Sequence, residues 1–182
     1  MIPPLPFTEA DRELIRSLRR DLHAYPELSW KEVQTQDRLE RALHDTGVSD
    51  VRRVARTGLV ARIRGTGTGA TVAIRGDMDA LPISEATGLP YASQNAGVMH
   101  ACGHDMHASW TVGAALLLAR APASGDVLIV LQPAEEVGEG ALAILESGAL
   151  NDAQAIFGGH VDRRFDVGQV VAQPGPLAAS TD

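Results

Sequence analysis

Asp126-Val127-Leu128-Ile129-Val130-Leu131 is an unbroken apolar run behind a single acidic residue, and Gln132-Pro133-Ala134-Glu135-Glu136 follows it at once. A strand with one wet face alternates apolar and polar residues. A strand with no polar position is buried on both faces, as in a parallel sheet covered by helices. The run therefore predicts a central strand, with Glu135 and Glu136 on a loop at its carboxyl end.

Downstream, the spacing predicts a helix over residues 139–147, closed by Gly148, and short strands over 155–157 and 168–172. Upstream, a helix is predicted over 106–120, with Trp110, Ala114, Leu117 and Leu118 available for packing. Residues 76–102 before it read as a long irregular segment, and such segments inside compact domains are often functional. Strands are predicted over 51–55, 59–64 and 71–75. Gly65-Thr66-Gly67-Thr68-Gly69 separates the last two; it lacks the Lys-Ser/Thr ending of a phosphate loop and precedes a strand, so it reads as a flexible hairpin turn.

Nearer the start, Pro3-Pro4-Leu5-Pro6 reads as an extended lead-in. Thr8 with Asp11 three residues on forms a capping box for a helix carrying Leu14, Ile15, Leu18 and Leu22, interrupted at Pro26. A second helix is predicted over 31–46, with Val33, Leu39 and Leu43 inward and Gly47 as its stop. Strands alternating with helices after residue 70 indicate an α/β sheet covered on both faces. In such sheets functional groups gather at the carboxyl ends of strands. Asp77 and Asp79, Glu135 and Glu136, and His160 occupy three such ends, and Cys102 and His104 stand just before a helix.

The chain carries 16 Lys and Arg against 23 Asp and Glu, a net charge of -7, with no basic run. Nucleic-acid binding, which needs cations to neutralise phosphates, is not expected. No stretch approaches the ~20 apolar residues of a membrane helix, and the first residues lack the basic start and apolar core of a signal peptide. One cysteine, Cys102, permits no internal disulfide, and a reducing cytoplasm is the simplest setting.

His100, Cys102, His104, Asp105 and His107 crowd one short segment. Imidazole and thiolate bind borderline metals such as Zn²⁺, Mn²⁺, Co²⁺ or Ni²⁺, with carboxylates completing the shell. Cys102 and His104 cannot close four-coordination alone, so Glu135, Glu136 and His160 are the expected further donors. His107 reads equally as a ligand or as a helix-face residue. Of the paired glutamates, one can bind metal while the other takes a proton from water and passes it to a leaving amine. Asp77-Met78-Asp79 reads as a ligand loop, as carboxylates that orient a ligating histidine, or as a solvated turn.

Five ordered motifs carry a family resemblance: Leu22-His23-Ala24-Tyr25-Pro26-Glu27-Leu28-Ser29, Arg75-Gly76-Asp77-Met78-Asp79-Ala80-Leu81-Pro82, His100-Ala101-Cys102-Gly103-His104-Asp105-Met106-His107, Gln132-Pro133-Ala134-Glu135-Glu136 and Gly159-His160-Val161. Together they resemble the M20 metallopeptidases, in the amidohydrolase branch that holds aminoacylases, hippurate hydrolases and auxin-conjugate hydrolases. The resemblance implies a three-layer α/β/α sandwich on a mixed, mainly parallel sheet, of the zinc-exopeptidase kind. It implies two divalent metal ions (Zn, Mn, Co or Ni), with Cys102, His104, Glu136 and His160 as ligands and the Cys102 thiolate bridging. Glu135 would be the general base on a metal-bridging water, and Asp79 a supporting carboxylate. The substrate class implied is an N-acyl amino acid or related small amide.

Chains of this family are longer, and a lid and dimerisation domain interrupts their catalytic domain. Residues 1–182 are therefore expected to be the N-terminal segment of that domain, ending at Ala178-Ala179-Ser180-Thr181-Asp182 where the lid would begin. The lid and the final ligand histidine would be missing, and an open sheet edge would favour association, including homo-oligomers. An inactive metal-binding fragment or interaction module is the alternative. A zinc deaminase is disfavoured, because one cysteine cannot supply a P-C-x-x-C partner. A cysteine nucleophile with a histidine base stays open in principle.

Overall fold

The run that opens the sequence argument lies at the centre of a five-stranded sheet. The computed structural model describes residues 6–172, 174 and 175; most of the 3–6 lead-in and the 178–182 tail lie outside them. In chain order the elements are α1 (Glu9–Ala24), α2 (Val33–Asp45), β1 (Val51–Val54), β2 (Gly58–Ile63), β3 (Gly69–Asp77), α3 (His104–Arg120), β4 (Gly125–Gln132), α4 (Gly140–Glu146) and β5 (Ala155–Gly158).

The strand order is β1-β2-β4-β3-β5. Pairs β1–β2 and β2–β4 are antiparallel, and β3–β4 and β3–β5 are parallel. The sheet is mixed, as expected, but parallel pairing is confined to one half rather than dominating. That half matters most here. Strands β3, β4 and β5 point the same way, so Asp77, Gln132 and Gly158 finish on one edge.

Alternate residues of β4 serve two cores. Val127, Ile129 and Leu131 pack with Leu59 and Ala61 of β2, Leu39 and Leu43 of α2, and Ala108 and Val112 of α3. Leu128 and Val130 pack on the opposite face with Val60, Ala73, Ile144 of α4 and Ala149. Each fully buried aliphatic side chain contributes about 1.5–3 kcal/mol, which is why the run has no polar position. Helices thus cover both faces, giving the three layers.

The capping box at α1 forms: Thr8 Oγ1 accepts from the Asp11 amide, and the Asp11 carboxylate accepts from the Thr8 amide. Asp11 also receives both terminal nitrogens of Arg120 at 2.7 Å, tying α1 to the end of α3. In α2, Leu39 and Leu43 are buried as expected, but Val33 is 55% exposed. The inward places of the first turn go to Thr35 and Gln36, whose side-chain amide donates to the Gly58 carbonyl.

Two further expectations fail for lack of tertiary information. The 65–69 glycine stretch is not a hairpin, because β4 lies between β2 and β3. The stretch crosses the start of β4, where Thr66 and Gly67 amides donate to the Ala123 and Ser124 carbonyls. A Cβ on Gly65 or Gly69 would fall 2.4 Å and 2.6 Å from Gly125 backbone atoms, so the glycines are there for backbone-on-backbone approach. Residues 168–172 form no strand; no ladder partner reaches them among the described residues, and Val170 stands 90% exposed.

Candidate metal centre

Three strand ends and one helix start build the site. Gly103 precedes α3 with φ +88, and a Cβ there would lie 2.5 Å from a Val161 methyl. Glycine at this position lets the chain turn sharply into the helix beneath the 160–161 loop, with Cys102 before the turn and His104 after it.

His104 is 1% exposed. Its Nδ1 faces the Asp79 backbone carbonyl at 2.9 Å and Asp79 Oδ1 at 3.1 Å. A carbonyl only accepts, so Nδ1–H donates, and Nε2 is the nitrogen left for a proton or a metal ion. Nε2 is buried without a hydrogen-bond partner. It points among Glu135 Oε2 at 3.6 Å, Glu136 Oε1 at 3.6 Å and Asp77 Oδ1 at 3.7 Å. Burial disfavours charge on this ring, yet Asp79, Asp77 and Glu136 outweigh it and hold its pKa above the ordinary value. Carboxylates that favour a proton at this nitrogen also favour a cation beside it.

His160 leaves β5 and meets Cys102. Its Nδ1 donates to the Val161 carbonyl at 2.7 Å, so its bare Nε2 faces Cys102 Sγ at 3.3 Å. Burial, then the charges of Glu136, Glu135 and Asp77, push the Cys102 thiol up to about 12. A cysteine nucleophile needs the reverse, a favoured thiolate. Only a cation would make the thiolate comfortable here, which suits a ligand. Burial and Glu135 likewise raise the Glu136 pKa against the pull of His104, and Glu136 Oε1 is buried without a partner.

Three groups of possible donors share His104, each with its donor atoms within 4.8 Å of one another: Cys102, His104 and His160; His104, Glu135 and Glu136; and Asp77, His104 and His107. Every metal or base position expected from the sequence is therefore brought together. Thiolate, imidazole and carboxylate donors of this mix fit borderline divalent ions. Asp79 sits beneath them, accepting from Ser29 Oγ at 2.7 Å and from the Glu136 amide at 3.0 Å while holding His104. Those bonds keep its pKa low despite burial.

Asp77 and His107 are near but already engaged. His107 Nε2 accepts from the Val161 amide at 3.0 Å, so its Nδ1–H donates to Asp77 Oδ1 at 2.7 Å. Arg75 takes the other Asp77 oxygen at 2.5 Å and reaches Gln132 at 2.9 Å. The His107 ring is sandwiched by Trp110, stacked at 4.8 Å, and His160, edge-on at 4.6 Å. His107 therefore supports the His160 loop. His100 stays outside the donor sets; burial pushes its pKa down to about 4. A cavity of about 420 Å³ opens beside Cys102 and His160, walled also by Arg19, His100, Met106 and Arg163.

Sequence reading missed Ser29, Glu32 and Arg75 as supports. Ser29 and Arg75 lie inside recognised motifs; the partner of Ser29, Asp79, is 50 residues away, and Arg75 bridges Asp77, two residues on in its own motif, to Gln132, 57 residues away. Glu32 lies outside every motif and gave no signal.

Residues 73–176 match the sequence pattern of peptidase family M20/M25/M40. The chain is 46% identical over 170 residues to the N-acetylcysteine deacetylase of Bacillus subtilis (strain 168), covering 91% of this chain and 44% of that protein. It is 41% identical over 171 residues to the N-acetyldiaminopimelate deacetylase of Listeria innocua serovar 6a, covering 91% and 45%. The chain thus spans less than half the length of these relatives. In structure it resembles the Bacillus subtilis YXEP protein, described as a dinuclear metal-binding peptidase from the M20 family. The TM-score is 0.90 at 43% identity, over 93% of this chain and 49% of that one.

Proposed function

The chain belongs to peptidase family M20/M25/M40, and from that premise we propose that it is the metal-holding N-terminal segment of the catalytic domain of a hydrolase for N-acyl amino acids or related small amides. The observation that carries this reading is His104 Nε2, buried, unpartnered and ringed by carboxylates, with the Cys102–His160 pair alongside. The deacetylase names of its relatives support the substrate class.

In this reading Cys102, His104, Glu136 and His160 hold two divalent ions (Zn, Mn, Co or Ni), and a further ligand and a lid lie outside these residues. When bound, the ions would polarise the amide carbonyl and lower the pKa of water. Glu135 is the base. Its side chain is 40% exposed against 19% for Glu136, so it faces incoming substrate while Glu136 is held inward by the Asp79 contact to its amide. Glu135 takes the proton of the attacking water and returns it to the amide nitrogen as the C–N bond breaks. Asp79 fixes the His104 ring so that Nε2 keeps its aim.

The test is elemental analysis and N-acetyl amino acid hydrolysis after loading the chain with Mn²⁺ or Zn²⁺. Two metal equivalents with turnover support the full reading. Tight uptake without turnover shows that these residues alone are a binding fragment, and no uptake sinks the metal-site assignment. No helix of the described residues is long and apolar enough to cross a membrane.

A further inference from the structure

We propose that Glu32 is a positioning residue for the glutamate pair, acting through the backbone of Ala134; the inference rests on the metal-centre reading above.

Glu32 is 0% exposed and forms no ion pair among the described residues. Both of its carboxylate oxygens are used. Oε1 accepts from the Ala134 amide at 2.8 Å, and Oε2 accepts from Thr57 Oγ1 at 2.6 Å. Burying a carboxylate without a cation is costly, so its position calls for a reason.

Ala134 supplies one. It is a fully buried, non-glycine residue with φ +49, immediately before Glu135. The left-handed conformation crowds the Cβ of an L-residue against its own backbone, and it persists only where the surroundings impose it. The Glu32 bond to the Ala134 amide imposes it from one side. From the other, the Ala134 carbonyl accepts from the Gly140 amide at 3.1 Å. The strained residue turns the chain from β4 so that the Glu136 amide reaches Asp79 and both side chains face His104.

Glu32 belongs to a strap that touches both loops of the site. The Glu27 carbonyl accepts from the Ala80 amide at 2.8 Å, Ser29 donates to Asp79, and Trp30 Nε1 donates to Glu139 at 2.6 Å. Glu32 is the member of this strap that holds the start of the glutamate loop.

The experiment is residue-resolved amide exchange on the metal-free chain, comparing wild type with Glu32→Met and Glu32→Gln. In Glu32→Met the amides of 134, 136, 138 and 140 should exchange about tenfold faster or more, as for loss of a charge-assisted bond, while Ile129 and its β4 neighbours keep their protection. Glu32→Gln, which can still accept from Ala134, should restore part of it. If Glu32→Met does not fold, Thr57→Val should loosen the same amides more weakly. Unchanged exchange at these four amides, or an equal acceleration throughout β4, overturns the proposal. Metal affinity by chelator competition should fall about tenfold or more in Glu32→Met. A wild type that takes up no metal refutes the metal-centre reading, while the exchange data still decide this one.

Discussion

Cys102 Sγ and His160 Nε2 face each other at 3.3 Å, although the residues are 58 positions apart. A thiol with a pKa near 12 and a bare imidazole nitrogen make a modest hydrogen bond; as a thiolate and an imidazole they make two donors for one ion. Cys102→Ala is expected to lower metal content, measured by elemental analysis after dialysis. Unchanged content would refute the ligand assignment.

Glu135→Gln is expected to keep metal content and fold while lowering hydrolysis by about 10²–10⁴-fold in a catalytically competent form of the enzyme. Its amide fills the same space but cannot take the proton. Near-normal turnover would remove Glu135 from the base role.

His107→Phe keeps the stacked ring but loses the bonds to Asp77 and to the Val161 amide. Metal affinity is expected to fall about 10–100-fold, because His107, with both nitrogens engaged, anchors the loop that carries His160. Chelator competition measures it, and an unchanged dissociation constant would show that the His160 loop needs no such anchor.

His23 lies between Asp105 at 2.7 Å and Glu85 at 3.2 Å. The Asp105 bond outweighs burial and raises its pKa. A pKa higher in the folded than in the unfolded chain adds stability that is complete below the unfolded value, about 6.5. That stability fades as pH rises through the folded value. The Tm gap between wild type and His23→Gln should therefore be widest below about pH 6 and narrow above neutrality. A gap that widens with pH would contradict this.

Gly125→Ala places a methyl 2.1 Å from the Ala70 carbonyl, whereas Gly67→Ala meets nothing closer than 3.6 Å. Denaturant melts should show a loss of about 1–3 kcal/mol or more for the first and a change within about 0.5 kcal/mol for the second. Equal effects would mean that the crossing loop is not held where the backbones touch.

Local chemistry was enough for several features. The apolar run of β4 required burial on both faces, the Thr8–Asp11 pair required a helix start, and the polar groups stood at strand ends. Cys102, His104, Glu135, Glu136 and His160 could be picked out as one candidate set from residue type, strand-end position and the family motifs, and the fold brings their donor atoms near one another. His107 was not decidable, since a histidine becomes support or ligand according to what its two nitrogens meet.

The tertiary structure alone decided the rest. Insertion of β4 between β2 and β3 made a hairpin-like glycine stretch into a crossing, because pairing partners are chosen across the chain and not along it. Which strand ends share an edge, which nitrogen of His104 is free, and why Glu32 is buried all depend on groups tens of residues apart. The sequence by itself specified which side chains could hold a metal. The fold determined that they converge, because the parallel pairing of β3, β4 and β5 brings their carboxyl ends to one edge.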